Sequence, residues 1–216
     1  MSNVTASLPL DGLLVADFSR VLAGPLATMT LADLGARVIK VERPGEGDDT
    51  RLWGPPFSST GSSYFESVNR NKESICLDLT ANEDLAVAVE LAMRADILVE
   101  NFRPGRMAQL GLGYEAVSVT NPKLIYASIS GFGSGAGADL PGYDFIVQAV
   151  GGLMSITGDT DGSPTKVGVA VVDILTAKDA TIGIFAALNS RNATGLGRRL
   201  EVNLLSSLQG AVANQG

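Results

Sequence analysis

Short apolar runs alternate with helical patterns in the N-terminal part of the chain. Residues 13–18 (LLVADF) and 38–41 (VIKV) are short, apolar-rich segments typical of buried strands. Between them a helical pattern opens at Gly24 and Pro25, because proline suits a first helical turn, and it ends at Gly35. A strand, a helix and a second strand in this order form a βαβ unit, so the first two strands should run parallel.

The alternation continues towards the C-terminus. Thr80 and Glu83 have the spacing of a capping box, which predicts a helix that opens there and runs to Met93. The remaining predicted strands are residues 74–79, 97–99, 124–129 and 199–204, and the remaining predicted helices are residues 143–154, about 173–192 and those from about 206 onwards. The pattern predicts an α/β fold with an open, mostly parallel sheet, formed by residues 1–216 as a single domain without internal repeats.

Three loops are candidates for ligand contact. Residues 43–63 are too many for a simple connector, and loops of that length are usually functional or disordered. Asn101 and Phe102 follow a predicted strand, and ligands of open α/β sheets bind beyond the carboxyl ends of the strands. The glycine-rich loop 130–142 either allows close approach of a ligand or is a mobile surface loop. The turn after the first strand, SRVLAGP, lacks the G-x-G-x-x-G pattern, which disfavours a nicotinamide or flavin cofactor.

Composition narrows the class of partner. The 216 residues are 45% hydrophobic and 18% charged, which is sufficient for a packed core in a soluble protein. The net charge is −7 and no basic block is present, so neither nucleic acid nor an anionic membrane is an expected partner. No stretch reaches the roughly 18 apolar residues of a membrane helix. A small molecule is the favoured ligand.

The cysteine content and the N-terminus favour a cytoplasmic location. Cys76 is the single cysteine and cannot form an internal disulfide; its apolar-rich segment predicts that it packs as a small apolar side chain. Residues 1–12 contain no Lys or Arg and no sustained apolar core, so they are not typical of a signal peptide.

The chain contains no histidine, which restricts the chemistry available to it. Arrangements of Ser-His-Asp or Cys-His, imidazole metal ligands and an imidazole base are excluded, so carboxylates, hydroxyls, amines and backbone amides remain. No metal is expected. Asp173 follows the apolar run 167–172 where a long helical pattern begins, and a negative charge is stabilised at a helix N-terminus. From this local pattern alone, Asp173 is either a helix cap or a functional carboxylate.

Many collinear segments of the chain resemble one known family, the family III CoA-transferases, which also contains the 2-methylacyl-CoA racemases. They include LDGLLVADFSRVLAGP, LADLGARVIKVERPGEGDDTR, NRNKESICLDL, LVENFRPG, GYDFIVQAVGGLMSITG and VAVVDI. The resemblance implies the Rossmann-like large domain of that family. Family members also have a second, smaller domain and form interlocked homodimers, so the resemblance implies that the chain is a truncated form.

The same resemblance implies roles for individual residues. Asp173 is expected to be the nucleophile, since Gly162, Pro164 and Gly168 precede it at the family's spacing. Residues that follow the early strands are expected to bind coenzyme A, with Arg106 as a further phosphate candidate and with Tyr143 and Asp144 at the acyl or pantetheine end. The positions after the strands are Leu22, Ala23, Arg43, Leu77, Thr80, Asn101, Phe102 and Arg103. Arginine suits this ligand because it can fork to phosphate oxygens and stack on a base.

The implied reaction is the transfer of coenzyme A from an acyl-CoA thioester to a carboxylic acid, through an aspartyl anhydride and an aspartyl-CoA thioester. A carboxylate nucleophile needs no activating base, because its usual pKa is about 3.9. Backbone amides near Gly151 and Gly152 are expected to stabilise the oxyanions. Two alternatives remain, a racemase and a fragment that binds coenzyme A without turnover. Racemases of the family use a GHD-type motif, but here the residues are Gly142, Tyr143 and Asp144, and tyrosine, with a usual pKa of about 10, is a poor base.

Overall fold

Six parallel strands form the sheet at the centre of the protein. They are β1 (Leu14–Asp17), β2 (Arg37–Glu42), β3 (Lys72–Cys76), β4 (Ile97–Glu100), β5 (Ile125–Ser130) and β6 (Arg199–Asn203). Their order across the sheet is β3-β2-β1-β4-β5-β6, and all five pairings between them are parallel. The prediction of a Rossmann-like α/β fold with a parallel sheet is therefore confirmed. The computed structural model describes residues 7–215, so half of the segment considered as a signal peptide, residues 1–6, lies outside it.

The strand order reverses between β1 and β4, which are neighbours although 79 residues separate Asp17 from Asp96. Val15 is in register with Val38 of β2 on one side and with Ile97 of β4 on the other. In open α/β sheets such a reversal leaves a crevice beyond the carboxyl ends of the two strands. The fold therefore predicts a ligand site in the crevice beyond the carboxyl ends of β1 and β4.

Helices cover both faces of the sheet. They are α1 (Ala23–Asp33), α2 (Ser63–Asn69), α3 (Asn82–Arg94), α4 (Arg106–Gln109), α5 (Tyr114–Thr120), α6 (Asp144–Val150), α7 (Val171–Thr194) and α8 (Leu204–Ala211). Alternate residues of each strand point to opposite faces. Val15 belongs to the buried cluster on the face covered by α1, α6, α7 and α8, whereas Ala16 belongs to the cluster on the face covered by α3, α4 and α5. No helix in the described part of the chain is long and apolar enough to cross a membrane.

Several predicted boundaries differ from the structure for local reasons. The predicted capping box is wrong: α3 begins at Asn82, and the Thr80 hydroxyl donates to the Asp78 carboxylate instead of capping the helix. Cys76 is exposed, contrary to the prediction, because it ends the edge strand β3. The helix predicted at residues 143–154 is interrupted after Val150 and is followed by a short 3-10 helix. Its interruption coincides with Gly152, which has a φ of 85°.

The long loop after β2 contains short helical elements anchored by a few buried residues, whereas residues 51–60 are exposed. A 3-10 helix spans Asp49–Leu52, and the buried carboxylate of Asp48 caps it by accepting a hydrogen bond from the Thr50 N–H. The helix α2 follows, with the Ser62 hydroxyl accepting from the Phe65 N–H at its start. The two interpretations of this loop, functional or disordered, stay predictions.

Candidate functional site

A cleft of about 260 Å³ lies beyond the carboxyl ends of β1, β4 and β5, at the point where the strand order reverses. The turn between β1 and α1 provides one wall, and the residues that follow β4 provide a second. The glycine-rich loop 130–143 provides a third wall, and Asp173 reaches the cleft from the first turn of α7.

The turn between β1 and α1 is held by side chains from other segments. Asn101, immediately after β4, accepts a hydrogen bond from the Arg20 N–H at 2.8 Å and donates to the Arg20 carbonyl at 2.7 Å. The next residue, Val21, has a φ of 70°, a conformation that β-branched residues rarely adopt. The Lys40 ammonium donates to the Ser19 carbonyl, and the Asp48 carboxylate accepts from the Val21 N–H. The shape of this wall therefore depends on three distant side chains.

Buried charges lie beneath that turn. Lys40 and Asp48 form an ion pair with an N–O distance of 2.9 Å, and Lys72 and Asp17 form another at 3.0 Å; all four side chains are at most 2% exposed. Burial opposes ionisation of Asp17, but the two lysines, together with hydroxyl groups that donate to it, outweigh burial and lower its pKa to about 2. Burial also lowers the pKa of Lys72, to about 8, although Asp17 opposes the shift. The network fixes the carboxyl end of β1 to the neighbouring strands.

Asp173 is a partly buried carboxylate that faces the cleft. Burial and, secondly, the nearby charge of Asp144 raise its pKa to about 7, and no hydrogen bond from residues 7–215 to its carboxylate offsets these effects. Its side chain is not a helix cap, because α7 begins two residues earlier. This raised pKa differs from the ordinary aspartate value behind the expectation of an ionised nucleophile, so Asp173 holds its proton more tightly near neutral pH than an ordinary aspartate does.

Other residues predicted from the sequence are also found at the cleft. Those that line it are Leu22, Ala23, Asn101, Phe102, Arg103, Tyr143 and Asp173. The side-chain amide of Asn101 is engaged with the Arg20 backbone, so its hydrogen-bonding groups hold the wall of the cleft. Tyr143 is 58% exposed at the entrance.

The remaining predicted residues do not line the cleft. Arg43 is an exposed side chain that forms an ion pair with Asp49 at an N–O distance of 2.5 Å. Asp49 itself lines the cleft. Leu77 is buried in the core and its N–H donates to the Glu42 carbonyl, so little of this residue can contact a ligand. Thr80 and Arg106 are exposed outside the cleft, and the Arg106 guanidinium donates to Gln109. Asp144 is directed towards the backbone at the start of α7.

The glycines predicted to stabilise oxyanions are placed elsewhere. The N–H groups of Gly151 and Gly152 donate to carbonyls of α6, and neither residue lines the cleft, so that prediction is wrong for the described residues. Gly131 and Gly142 line it instead. Their backbones touch so closely that a Cβ on Gly131 would lie 2.3 Å from the Gly142 Cα.

Two functional candidates were missed in the sequence. The Arg20 guanidinium lies over the Phe102 ring, 5.2 Å from its centre, and forms no ion pair with a described carboxylate. Its position directly after the first strand was the available signal. The second is Tyr64 on α2, near Asp173. Burial and, secondly, the negative charge of Asp173 raise the pKa of the Tyr64 phenol to about 12. No sequence pattern connects α2 with α7.

No group of three or more Cys, Asp or Glu side chains among residues 7–215 is arranged to hold a metal ion. The charged side chains that line the cleft are those of Arg20, Asp49, Arg103 and Asp173.

An α/β fold with a cleft at the reversal of its strand order defines a broad class, and comparison with known proteins specifies it. The family model for CoA-transferase family III matches residues 10–215, so the chain belongs to that family. The structure of a CAIB/BAIF family protein from Brucella suis superposes with a TM-score of 0.93 and is 46% identical over 97% of this chain and 57% of that chain. A hypothetical protein, Rv3272, from Mycobacterium tuberculosis gives a TM-score of 0.89 at 38% identity over 97% of this chain and 58% of that chain.

Curated relatives act on several acids. Succinyl-CoA:glutarate CoA-transferase of Mus musculus is 50% identical over 207 residues, which are 95% of this chain and 48% of that protein. Succinate–glutarate CoA-transferase of Agrobacterium fabrum is 48% identical over 96% of this chain and 54% of that protein. Acetyl-CoA:oxalate CoA-transferase of Acetobacter aceti is 50% identical over 91% of this chain and 51% of that protein. The chain spans about half the length of the curated relatives it matches.

Proposed function

We propose that this protein transfers coenzyme A from an acyl-CoA thioester to a carboxylic acid, with Asp173 as the nucleophile. The observation that carries the proposal is the position of Asp173, a carboxylate without hydrogen-bond partners among the described residues, at the wall of a cleft formed by the carboxyl ends of three strands. Membership of the CoA-transferase family supports the same reaction.

The reaction follows from carboxylate chemistry. An Asp173 oxygen attacks the thioester carbonyl, the C–S bond breaks, and an acyl-aspartyl anhydride and a CoA thiolate result. The thiolate attacks the Asp173 carbonyl carbon and releases the acyl group as the donor acid, leaving an aspartyl-CoA thioester. The acceptor carboxylate then attacks this thioester, and the two steps run in reverse. Because the attacking form is the carboxylate and its pKa is about 7, labelling of the chain should increase as the pH rises through 7.

The cleft supplies suitable groups for the ligand. Arg20 and Arg103 are positive side chains that suit phosphate or carboxylate oxygens, and Phe102 adds an apolar surface beside them. Arg43 and Asp49 form the adjoining rim, where an arginine that leaves its partner could stack on the adenine. We assign these residues to CoA binding.

The acceptor is proposed to be a small dicarboxylic acid. Relatives at about half identity are named for glutarate, oxalate and mesaconate, each of which carries two carboxylates. An arginine without an ion-pair partner among residues 7–215, such as Arg20, suits a second carboxylate as well as a phosphate.

The direct test is covalent trapping at Asp173. The chain is incubated with succinyl-CoA or acetyl-CoA, quenched with hydroxylamine, and digested for mass spectrometry of the peptide that contains Asp173. A hydroxamate at that residue is expected, and it should be absent from Asp173→Asn but retained in Asp179→Asn, which changes an exposed aspartate of the same helix. An unmodified Asp173 with a broad acyl-CoA panel would contradict the proposal for this chain.

Racemisation and simple binding predict different results. The racemase alternative requires exchange of the α-hydrogen with deuterated solvent, and none is expected, because the chain lacks histidine and Tyr143 is a poor base. A fragment that binds coenzyme A without turnover would give a dissociation constant by calorimetry but no hydroxamate.

A further inference from the structure

The first turn of α7 has no cap of its own. Its N-cap residue, Ala170, has no side chain able to accept a hydrogen bond, yet the backbone N–H groups of the first turn need partners. The carboxylate of Asp144, on α6, supplies them. Its Oδ2 accepts from the Val172 N–H at 2.7 Å and from the Asp173 N–H at 3.1 Å.

These two N–H groups are at the second and third positions of the helix, which an N-cap side chain normally satisfies from within the same helix. Here the acceptor comes from a residue 29 positions earlier in the chain. Asp144 is therefore bonded to the backbone of the proposed nucleophile itself.

A second residue of α6 extends this contact. Gln148 lies one turn after Asp144 and is 1% exposed. Its side-chain NH2 group donates to the Asp144 carboxylate and, at 3.4 Å, to the Val169 carbonyl. Its Oε1 accepts from the Val167 N–H at 2.9 Å. The two side chains hold the irregular segment 167–173 along its length. The segment contains no strand that could fix it otherwise.

We propose that Asp144 is a positioning residue for the transfer reaction: its carboxylate caps α7 from α6 and so fixes the backbone and environment of Asp173. This role rests on the proposed function of Asp173. It assigns Asp144 to the support of the nucleophile and not to contact with the acyl group or pantetheine.

The capping carboxylate also acts on Asp173 through its charge. A negative charge beside Asp173 favours its protonated form, in addition to the effect of burial. The other ionisable groups around Asp173 are the phenols of Tyr64 on α2 and Tyr143 at the cleft, and the charged residues of the cleft, Arg20, Asp49 and Arg103. The carboxylate of Asp144 differs from these groups because it accepts a hydrogen bond from the backbone of the nucleophile.

Two variants separate the cap from its charge. Asp144→Ala removes both. Asp144→Asn together with Gln148→Glu keeps the hydrogen bonds to the Val172 and Asp173 amides, because the oxygen of the introduced asparagine can accept from them while its NH2 group donates to the introduced glutamate. The weaker bond from residue 148 to the Val169 carbonyl is lost, because a carboxylate cannot donate. The negative charge thereby moves one helical turn away. Asp179→Asn, which changes an exposed aspartate of α7, is the matched control.

Two NMR measurements test the proposal without any acyl-CoA. Hydrogen exchange at the Val172 and Asp173 amides should accelerate about tenfold or more in Asp144→Ala and remain slow in the double variant and the control. The midpoint of the carboxyl titration of Asp173 should fall by about one pH unit in the double variant and remain unchanged in the control. Unchanged exchange in Asp144→Ala, or an unchanged midpoint in the double variant, would overturn the proposal. A failure of hydroxylamine trapping would instead remove the transferase function and leave these two results as they stand.

Discussion

The side chain of Asn101 pairs with both backbone polar groups of Arg20, accepting from its N–H at 2.8 Å and donating to its carbonyl at 2.7 Å. Replacement by aspartate keeps the acceptor but places a negative oxygen against the Arg20 carbonyl. We expect Asn101→Asp to lose about 1–3 kcal/mol of unfolding free energy, measured with urea, and to bind coenzyme A more weakly by calorimetry.

A matched control separates the loss of stability from the loss of the site. Asn121 donates to the Ala95 carbonyl at 2.7 Å and lies away from the cleft. Asn121→Asp should therefore destabilise the protein without changing the affinity for coenzyme A of the folded fraction. Equal affinity in both variants would show that the cleft does not depend on the Arg20 turn.

Asp173→Asn should change how stability depends on pH. The folded-state pKa of Asp173, about 7, lies above its ordinary 3.8, so the folded protein holds the proton more tightly and loses stability as the pH rises from about 4 to 7. Asparagine has no proton to lose. The free energy of unfolding of the variant should therefore increase relative to that of the wild type across this pH range, by up to about 4 kcal/mol at pH 8. Urea unfolding at a series of pH values measures the difference, and parallel curves would contradict it.

Removal of one charge from the buried network should be more harmful than removal of a pair. Lys72→Met leaves Asp17 buried without its ion-pair partner and should cost about 3–5 kcal/mol of unfolding free energy. Adding Asp17→Asn should restore most of that loss, because the uncompensated charge is gone. A double-mutant cycle from urea unfolding measures the coupling, and additive losses would indicate that the two side chains act independently.

Two glycines should respond to alanine with opposite signs. Gly131→Ala should destabilise by about 1–3 kcal/mol, because the added methyl group would lie 2.3 Å from the Gly142 backbone. Gly210→Ala, inside α8 and with no atom within 4 Å of the new methyl group, should stabilise by about 0.5–1 kcal/mol. Thermal unfolding of the two variants shows whether each change raises or lowers the stability. Stabilisation by Gly131→Ala would mean that the loop segments around Gly131 and Gly142 are separated in solution.

Arg20→Gln should weaken binding of coenzyme A about tenfold and reduce its salt dependence, because a positive side chain is lost from the cleft. Arg94→Gln removes an exposed arginine whose partner is Glu90 and should leave binding unchanged. Calorimetry at two salt concentrations compares them. If both variants bind alike, Arg20 is not a ligand contact.

The sequence predicts the sheet well, because buried strands are short apolar runs with clear limits. β4 and β5 are buried along most of their length, and their predicted bounds differ from the structure by one residue at each affected end. The edge strand β3 was predicted to start two residues late and to end three residues late, since it is only partly buried and its pattern is weak. The helices α2, α4 and α5 have at most seven residues each, too few for a recognisable period.

The candidate site was predicted from two sources, the backbone topology and the resemblance to the family. Asn101 and Phe102 follow a strand, so their position at the cleft could be anticipated, and Asp173 was indicated by family resemblance. The cap that Asp144 provides could not be foreseen, because it joins two helices across 29 residues with no signature in either. Similarly, the raised pKa of Asp173 depends on burial and on that neighbour, which only packing reveals.

The tie between Arg20 and Asn101 also bears on how the protein assembles. The residues that shape the first wall of the cleft are synthesised early, but the side chain that holds them is 81 positions further along. An early βα segment can form its helix from local interactions, whereas the Arg20 backbone lacks its Asn101 partner until β4 docks beside β1. A nascent chain that ends before β4 therefore contains the sequence of this wall without one of the side chains that hold it.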